Sequence, residues 1–436
     1  MRIAMSSYSG MGAWFVLRLM AEGHDVDYFL SKKEYEDVLR GLIPKPRILS
    51  LDHRRTIQGY GYPSYKNYDL SLFDLTGRPK QADYSRGQCP TLGDGQFEHI
   101  LEDDREAGIR FMEDSGINVP PYTRFDNPSE AKPFIKKTDK RYVFKPFTQG
   151  GTTQDTATTY VAKSAEDMLK VIDPLWAAAK HAPFILQEFI QGTEIGIEGF
   201  FNGTNFYMLT GTLEEKKFMN DNKGPNTGCG GNLIFAIHED MKIYKEGLMK
   251  AIPLLQMMGF RGILDLNTIV TEDKVYALEW TPRFGYLCCP TIATMYGSGY
   301  GELLRRTASG EVPHIKWQAA FGASVTVTIP PYPTEIRLPK AKDIPIEGID
   351  PQNVEELQDM FLFDAMLSKD KKTLQTSGNY GYIGAPIGIG DAISTAFSKV
   401  EASLHRLQIP NMQYRTDVEK STTARYNKLM EKSWIS

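Results

Sequence analysis

Cysteine is scarce in this sequence, with only Cys89, Cys229, Cys288 and Cys289 among 436 residues. So few cysteines in so long a chain exclude the dense disulfide framework of small secreted domains. None forms a C-x-x-C pair, and the adjacent Cys288 and Cys289 are poorly spaced to hold one metal ion. We therefore expect free thiols, a reducing compartment and a cytoplasmic location.

Long apolar runs and a large net charge are also missing. The longest apolar candidate near the N-terminus, 13–20, is broken by Arg18, and no cleavage-site pattern accompanies it. A membrane helix needs roughly 20 apolar residues, so we expect neither a signal peptide nor a membrane span. The net charge of −4 gives no general affinity for polyanions, although a local basic groove would not be visible in it.

The composition that remains is that of a soluble globular protein, with 41% hydrophobic and 24% charged residues. A chain of this length exceeds one ordinary hydrophobic core, so we expect several domains. The first of them opens with a strand at 2–5, a small-residue turn at 6–12, a helix at 13–21 and a strand at 25–30. This order predicts an open α/β sheet.

The turn at 6–12 has two glycines where a full dinucleotide fingerprint has three, so it is read either as a tight turn or as a weak nucleotide site. A second loop, 220–231, reads N-D-N-K-G-P-N-T-G-C-G-G and has five Gly or Pro residues among twelve. This composition excludes a regular helix or a central strand. It suits a long surface turn and an anion-binding loop equally well.

Candidate residues for phosphate chemistry follow in order along the chain. Lys145 ends a strand at 141–146 and can supply a positive charge to phosphates. Backbone amides of Gly150 and Gly151, in the flexible turn that follows, can cover those phosphates. Asp265, Asn267 and Glu279 interrupt two apolar strands, and of these Asp265 and Glu279 can hold Mg²⁺. Each residue alone also fits a structural role, and only their conjunction favours a phosphate-handling site.

Several strings in this order resemble the ATP-grasp ligases, and among them the phosphoribosylamine–glycine ligases. The G-P-N-T-G string at 224–228 is quite specific to that family, and the other matches support it. Further similar stretches are 101–105, 145–146 with 150–151, 187–194, 215–217, 279–285 and 379–383. The resemblance therefore spans nearly the whole chain.

The resemblance implies a multidomain fold of α/β and α+β type. It is an ATP-grasp fold with an N-terminal Rossmann-like (pre-ATP-grasp) domain and a small C-terminal domain. The implied domains are an N-terminal open α/β domain at 1–97, a central ATP-grasp domain at 98–142 and 195–320, a small mobile lid at 143–194 and a C-terminal α+β domain at 321–436.

The resemblance also implies roles for individual residues. Arg105 and Lys145 would bind the phosphates of ATP, and Gly150 and Gly151 would cover them. Gln187, Glu188 and Ile190 would bind the adenine, mainly through their backbone groups. Glu194 would bind the ribose. Magnesium or manganese would be held by Glu279, with Asp265 as a second candidate by position and Thr281 at the place of the family's second metal-binding Asn. The substrate and the transferred phosphoryl group would face Lys216, Asn226, Thr227, Gly228 and Arg283.

The implied reaction is ADP-forming ligation of a carboxylate, such as an amino acid like glycine, to an amine. The partners would be small molecules, without a membrane, and the chain would be a monomer or a homodimer. Alternatives are the phosphoribosylamine–glycine ligase of purine synthesis itself, a nucleotide-binding scaffold without catalysis, and ligation to a modified nucleotide or nucleic acid, which the acidic charge does not favour.

The departures from the family pattern concentrate on the acceptor side. Tyr286, Leu287 and Cys288 stand where the family has D-P-E, and Thr281 replaces an Asn. The Asp and second Lys of the glycine turn are also missing, with Phe147 and 153–154 in their place. This pattern predicts a ligase with a changed acid, a changed amine or both.

Overall fold

The structure is a computed structural model, and it describes residues 1–49, 62–147, 159–334 and 341–436. The predicted glycine turn with Gly150 and Gly151 lies outside these described residues. Within them, no helix is both long and apolar enough to cross a membrane.

The N-terminal unit is a five-stranded parallel sheet in the order β3-β2-β1-β4-β5. Its elements are β1 (Arg2–Ser7), α1 (Ala13–Ala21), β2 (Asp25–Leu30), β3 (Arg47–Ile48), β4 (Leu70–Phe73), α2 (Pro79–Arg86) and β5 (Thr91–Leu92). The central strands β1 and β4 are buried on both faces, as expected for a parallel sheet covered on both sides. The predicted opening of an open α/β sheet is confirmed.

The sequence pattern predicts a single helix from residue 99 to residue 113, but the structure has two helices there, α3 (Gln96–Asp103) and α4 (Arg105–Asp114). The break occurs because Asp104 is extended, with φ −100° and ψ 94°. Its side chain accepts a hydrogen bond from the Ala107 amide at 3.0 Å and so caps the second helix. This cap places Arg105 at the first turn of α4.

A small unit follows, with an antiparallel sheet in the order β6-β9-β7-β8. Its elements are β6 (Tyr122–Phe125), α5 (Pro128–Thr138), β7 (Tyr142–Pro146), β8 (Tyr160–Val161), α6 (Ala165–Ala178) and β9 (Phe184–Glu188). It has its own core, built around Phe125, Phe144 and Phe184. The predicted lid at 143–194 begins later than this sheet, because β6 pairs with β9.

The central antiparallel sheet has nine strands and runs β16-β15-β10-β11-β14-β17-β23-β18, with β20 on β23. This part of the chain has the elements β10 (Thr193–Phe201), β11 (Phe206–Glu214), β12 (Lys217–Met219), β13 (Lys223–Asn226), β14 (Gly231–Ala236), α7 (Lys242–Glu246), α8 (Ile252–Met257), β15 (Gly262–Val270), β16 (Val275–Thr281), α9 (Cys288–Tyr296) and α10 (Tyr300–Ser309). Of these strands, β12 and β13 form a separate two-stranded sheet. The sequence pattern predicts one helix over 241–258 with a kink at Pro253, but the helix breaks at Gly247 and Pro253 lies in the first turn of α8.

The C-terminal segment completes this sheet. Its elements are β17 (Phe321–Val325), β18 (Val327–Thr328), β19 (Lys342–Ile346), α11 (Val354–Gln358), β20 (Met360–Leu362), β21 (Met366–Leu367), β22 (Leu374–Ser377), β23 (Tyr382–Gly390), α12 (Ile393–Arg406) and α13 (Val418–Glu431). Strand β17 pairs with β14, so the segment predicted as a separate domain from residue 321 shares the central sheet. The sequence pattern predicts a final helix at 391–407, which is α12, and α13 follows it.

Candidate active site

Two neighbouring strands of the central sheet carry the predicted metal ligands. Asp265 of β15 lies opposite Thr281 of β16, and Asn267 lies opposite Glu279. Directly opposed side chains in an antiparallel pair lie side by side, and residues two apart on a strand share a face. Asp265, Glu279 and Thr281 are therefore brought together as predicted. Asn267 joins them, with its amide donating to Asp265 at 2.9 Å.

Lys145 and Arg105 meet at the end of β7. Arg105 donates from Nε to the carbonyl of Pro146 at 3.2 Å, which carries its guanidinium to the residue after Lys145. The Lys145 side chain is only 8% exposed. Burial, followed by the charge of Arg105, lowers the pKa of Lys145 to about 8, although Glu279 acts in the opposite direction. The structure thus groups the two predicted phosphate-binding cations with Glu279.

Lys216 adds a third cation to this group. Its Nζ lies 2.7 Å from a carboxylate oxygen of Glu194 and donates to the amide oxygen of Asn267 at 3.4 Å. Burial opposes the charge, but Glu194 and Glu279 outweigh it and raise the pKa of Lys216. Conversely, desolvation by the surrounding chain disfavours ionised Glu279, whose side chain still reaches solvent, but Lys216 and Lys145 outweigh this effect and lower its pKa.

Two further carboxylates, Glu198 and Glu214, lie beside Asp265 and were not predicted. Glu198 faces Asp265 across β10 and β15 and is 3% exposed. Burial, with Asp265 as the next cause, raises the pKa of Glu198 to about 8. Burial and then Glu214 raise the pKa of Asp265 to about 7. This excess of carboxylates is an electrostatic environment that favours a divalent cation.

The predicted loop at 220–231 is a hairpin ribbon beside Lys216. Its second strand, β13, contains Pro225 at an exposed edge, where proline removes no ladder hydrogen bond of a larger sheet. Thr227 then donates its amide to the carbonyl of Lys216 at 2.7 Å. Gly228 is exposed, and a Cβ there would meet no atom of the described residues within 4 Å. Asn226, Thr227 and Gly228 therefore run along the strand end that carries Lys216.

Arg283 is held by Glu102 of α3, which was not predicted. Its Nε donates to a Glu102 oxygen at 2.8 Å, and its guanidinium lies over the Tyr286 ring at 5.1 Å. Burial opposes the charge of Arg283, but Glu102 outweighs it and raises the pKa. Asp265 acts in the same direction, which places Arg283 near the carboxylate group.

The predicted adenine-binding residues lie where the small unit joins the central sheet. Gln187 is 2% exposed on β9, and Ile190 lies in the link between β9 and β10. Glu188 pairs its carboxylate with Lys140 at 2.6 Å and donates its amide to the carbonyl of Pro121 at 2.8 Å. Its side chain is thus paired with Lys140 and its amide with Pro121. Only its backbone carbonyl is left for the predicted contact with adenine.

Sequence patterns held a signal for some of the residues that were missed. Glu198 and Glu214 are polar side chains inside apolar strands, the same feature that singled out Asp265, Asn267 and Glu279. Glu102 lies on a helix where a glutamate is ordinary, so only the fold reveals its contact with Arg283.

Among the described residues, no group of three or more His, Cys, Asp or Glu side chains has the geometry of a complete metal site.

Comparison with known proteins finds similarity to one family of ligases. Residues 106–289 match the family model described as Phosphoribosylglycinamide synthetase, ATP-grasp (A) domain. The phosphoribosylamine–glycine ligase of Caldanaerobacter subterraneus subsp. tengcongensis is 22% identical over 348 residues, which cover 77% of this chain and 80% of that protein.

Two solved structures share the fold. The phosphoribosylamine–glycine ligase of Thermotoga maritima has a TM-score of 0.72 at 18% identity and covers 96% of this chain and 100% of its own. The biotin carboxylase domain of the Hydrogenobacter thermophilus 2-oxoglutarate carboxylase, solved with MgADP and bicarbonate, has a TM-score of 0.64 at 12% identity and covers 99% and 95%.

Proposed function

We propose that this chain, an ATP-grasp carbon–nitrogen ligase that resembles the phosphoribosylamine–glycine ligases, activates the carboxylate of an amino acid with ATP and joins it to an amine. The observation that carries the proposal is the grouping of Arg105, Lys145 and Lys216 around Glu279, next to the carboxylates of β10, β11 and β15. Clustered cations beside acidic oxygens suit a triphosphate with its metal ion.

The reaction would proceed in two steps. A carboxylate oxygen attacks the γ-phosphorus of ATP, the bond to the β–γ bridging oxygen breaks, and ADP leaves with the electron pair. The amine nitrogen then attacks the acyl carbon, inorganic phosphate leaves, and the nitrogen gives up a proton. Because an acyl phosphate hydrolyses readily, the small unit built from β6–β9 would close over the site to exclude water.

The residues present fit a magnesium or manganese ion. Glu279, Asp265 and the amide oxygen of Asn267 are hard oxygen donors on adjacent strands, and the Thr281 hydroxyl lies beside them. Glu279 and Asn267 would hold the ion together with oxygens of the nucleotide. Such an ion supplies positive charge that neutralises the phosphoryl oxygens during transfer.

The cations would divide the remaining work. Lys145 and Arg105 would bind the nucleotide phosphates from β7 and α4, with Glu194 at the ribose. Lys216 and the backbone at 226–228 would contact the transferred phosphoryl group. Arg283, oriented by Glu102, would bind the carboxylate before its activation. We propose ATP and a divalent metal ion as the cofactors on this basis.

The proposal is tested with hydroxylamine in place of the unidentified amine. Protein, ATP and Mg²⁺ are incubated with each amino acid in turn, and ADP and amino acid hydroxamate are measured. At least one amino acid should give both products in a 1:1 ratio. If no amino acid yields hydroxamate or ADP, and ATP with Mg²⁺ does not raise the melting temperature, the proposal fails.

A second candidate is the phosphoribosylamine–glycine ligase reaction itself. The name of the Caldanaerobacter relative favours it, whereas Tyr286, Leu287 and Cys288 depart from the family pattern near Arg283. Complementation of a strain that lacks this purine step separates the two candidates. Growth without added purine would support the second, and failure of a well-expressed protein would remove it.

A further inference from the structure

One face of the central sheet carries three acidic side chains beside the proposed reaction site. Glu198 of β10 lies opposite Asp265 of β15 on one side and opposite Thr210 of β11 on the other. Glu214 ends β11 on the same face of the strand as Thr210. Glu198, Asp265 and Glu214 together are called the acidic recess below.

The contacts that Glu198 and Glu214 make within the chain do not balance their charge. Glu198 accepts a hydrogen bond from the Cys289 thiol at 3.6 Å, and Glu214 accepts one from the Cys288 thiol at 3.3 Å. A thiol is an uncharged and weak donor. Among the described residues, no lysine, arginine or histidine forms an ion pair with either carboxylate.

The two cations that act on the acidic recess are already paired with other carboxylates. Lys216 contacts Glu194 at 2.7 Å, and Arg283 contacts Glu102 at 2.8 Å. Burial therefore dominates at Glu198 and raises its pKa to about 8. A buried carboxylate without a cation is costly for the fold, and a bound cation would offset that cost.

Three buried hydroxyl groups near Glu198 also lack partners. Thr210 and Tyr300 are fully buried, and Thr212 is 4% exposed. In the described part of the chain, none of these hydroxyls has a hydrogen-bond partner. Opposed side chains of an antiparallel pair have Cβ atoms about 5 Å apart, so Thr210 and Glu198 are neighbours. Tyr300 is within electrostatic reach of Glu198. These hydroxyls add unused hydrogen-bond acceptors to the negative charge.

The acidic recess is connected to the proposed reaction site. Asp265 and Glu214 are partly exposed, so the recess is not sealed from solvent. Lys216 follows Glu214 by two residues, Asn267 follows Asp265 by two, and the Lys216 Nζ donates to the Asn267 amide oxygen at 3.4 Å. Asp265 also acts on the pKa of Arg283, the proposed carboxylate-binding residue. A substrate held at Lys216 and Arg283 can therefore extend into the recess.

We propose that the acidic recess binds an aliphatic ammonium group of a substrate, in addition to the carboxylate and the amine that react. This inference rests on the proposed function and narrows its substrates to a diamino acid as carboxylate donor or a diamine as acceptor. An ammonium group has three donors and no acceptor. Glu198 and Glu214 would accept two of its hydrogen bonds, and the Thr210 hydroxyl would accept the third.

The charges at the site favour a second ammonium group over the alternatives. An amino acid with one ammonium group is neutral overall, so it would leave the excess of three carboxylates in place. A substrate with a second ammonium group brings a net positive charge that reduces this excess. Among the described residues, the acids are not arranged as metal ligands. The metal ion proposed at Glu279 and Asn267 would lie toward β16, whereas Glu198 lies on the β10 side of Asp265.

The acidic recess is tested by calorimetric titration of the full-length protein at constant ionic strength. The titrations are made without nucleotide and again with Mg²⁺ and a non-hydrolysable ATP analogue. One arm compares lysine with norleucine and ornithine with norvaline, which lack the side-chain ammonium group. The other arm compares cadaverine with pentylamine. In one arm, the ligand with the second ammonium group should bind roughly tenfold or more tightly than its partner. That arm identifies the donor or the acceptor as its carrier.

Glu198→Gln keeps the shape of the side chain and removes its charge, so it should abolish most of this preference. It should also raise the melting temperature of the free protein, because it removes a buried carboxylate that has no cation. A structural glutamate would instead lower the melting temperature when replaced, which would count against the proposal. Glu272→Gln is the control, since that side chain is 81% exposed, and it should change neither quantity. If Glu198→Gln does not fold, Glu214→Gln replaces it in the titrations.

Absence of the preference in both arms, or an equal preference in Glu198→Gln, overturns the proposal, and water then satisfies the buried hydroxyls. The titrations need no turnover, so they separate this inference from the ligase proposal. If the preference is found but no amino acid gives hydroxamate, the ligase proposal fails and the ammonium site stands. If neutral amino acids give hydroxamate and neither arm shows a preference, the ligase stands and the acidic recess does not bind its substrate.

Discussion

Desolvation by the surrounding chain would raise the pKa of Glu279, but three cations, Lys216, Lys145 and Arg105, outweigh it and keep the carboxylate ionised. The same three cations would repel one another without it: the pKa of Lys145 is lowered first by burial and then by the charges of Arg105 and Lys216, and Glu279 acts against them. A carboxylate at this point therefore balances the cations before a nucleotide arrives, and it offers oxygens to a metal ion afterwards.

Replacing Glu279 with Gln should abolish turnover while leaving the fold intact. The side chain keeps its shape but loses the charge that the metal ion requires, so hydroxamate formation should fall by roughly 100-fold or more. Far-UV circular dichroism should be unchanged. The matched control is Glu272→Gln, on the turn joining the same two strands, whose side chain is 81% exposed. An active Glu279→Gln protein would contradict the metal role.

Asp94 should make stability depend on pH. Its folded pKa of about 8 lies above the unfolded value, because burial dominates and Glu98 and Asp74 add to it. The folded state then holds one more proton, so this contribution is fully present below about pH 4 and lost as the pH rises through about 8.

The measurement compares Asp94→Asn with the natural sequence in urea unfolding at several pH values. Between pH 5 and 7, the natural protein should lose about 1.4 kcal/mol per pH unit relative to the variant. Asn suits this position because φ is +52°, where Asn and Asp are enriched. Parallel pH profiles for the two proteins would show that Asp94 does not titrate as described.

At the scale of elements, the hairpin β12–β13 is held in place by side chains of the C-terminal segment, from Arg415 and from α13. Arg415 is 3% exposed and donates to the carbonyl of Lys217 at 2.9 Å, while pairing with Glu215 at 2.9 Å. Glu215 also receives Arg425 and Ser421 from α13, each at 2.6 Å. Because Glu215 precedes Lys216, this cluster fixes the strand end that carries a proposed catalytic cation.

Arg415→Met should destabilise the fold and misplace Lys216. Removing one partner of a buried ion pair costs about 3 kcal/mol or more, here partly relieved by Arg425. Urea unfolding should show the loss, and hydroxamate formation should fall as well. Arg406→Met is the control, since that side chain is 55% exposed, and it should change stability by less than about 0.5 kcal/mol. Equal stability of the two variants would show that the buried ion pair of Arg415 with Glu215 does not stabilise the fold.

The tip of the same loop yields a prediction that separates activity from stability. Gly228 has open space around it and φ outside the left-handed region, so Gly228→Ala should leave the melting temperature unchanged. If its backbone lies against the transferred phosphoryl group, the added methyl group should lower hydroxamate formation by roughly tenfold. Gly87→Ala, equally free of strain but remote from the site, is the control. Full activity of Gly228→Ala would remove the loop from the site.

At the scale of the whole molecule, the predicted ATP-grasp fold and its family resemblance are confirmed. Asp265 and Glu279 could be chosen as candidates from the sequence because a carboxylate inside an apolar strand is costly unless it is paired or binds a ligand. Glu102 and Arg415 could not, because their partners lie some 180 and 200 residues away in the chain and only the fold brings them together. The break at Asp104 was missed because helical periodicity continues across it.

The same limit explains the domain boundaries. Local patterns at 321–436 predict strands and helices, but strand order and register in a sheet are set by packing between distant segments. In the structure β17 pairs with β14 and β23 follows β17, so the described part of this segment extends the central sheet rather than standing beside it. The proposed active site is therefore built on a sheet whose strands come from both halves of the chain.

A chain ending at residue 320 should consequently fail to fold. Its β14 would lose the pairing partner β17 and become an exposed apolar edge, and buried Leu233 and Phe235 would lose their cover. Size-exclusion chromatography should show aggregates, and thermal unfolding should lose its cooperative transition. Co-expression of 321–436 as a second chain should restore soluble protein, because the missing strands are then supplied. A soluble, cooperatively unfolding 1–320 fragment would instead show that the C-terminal segment is a separable domain.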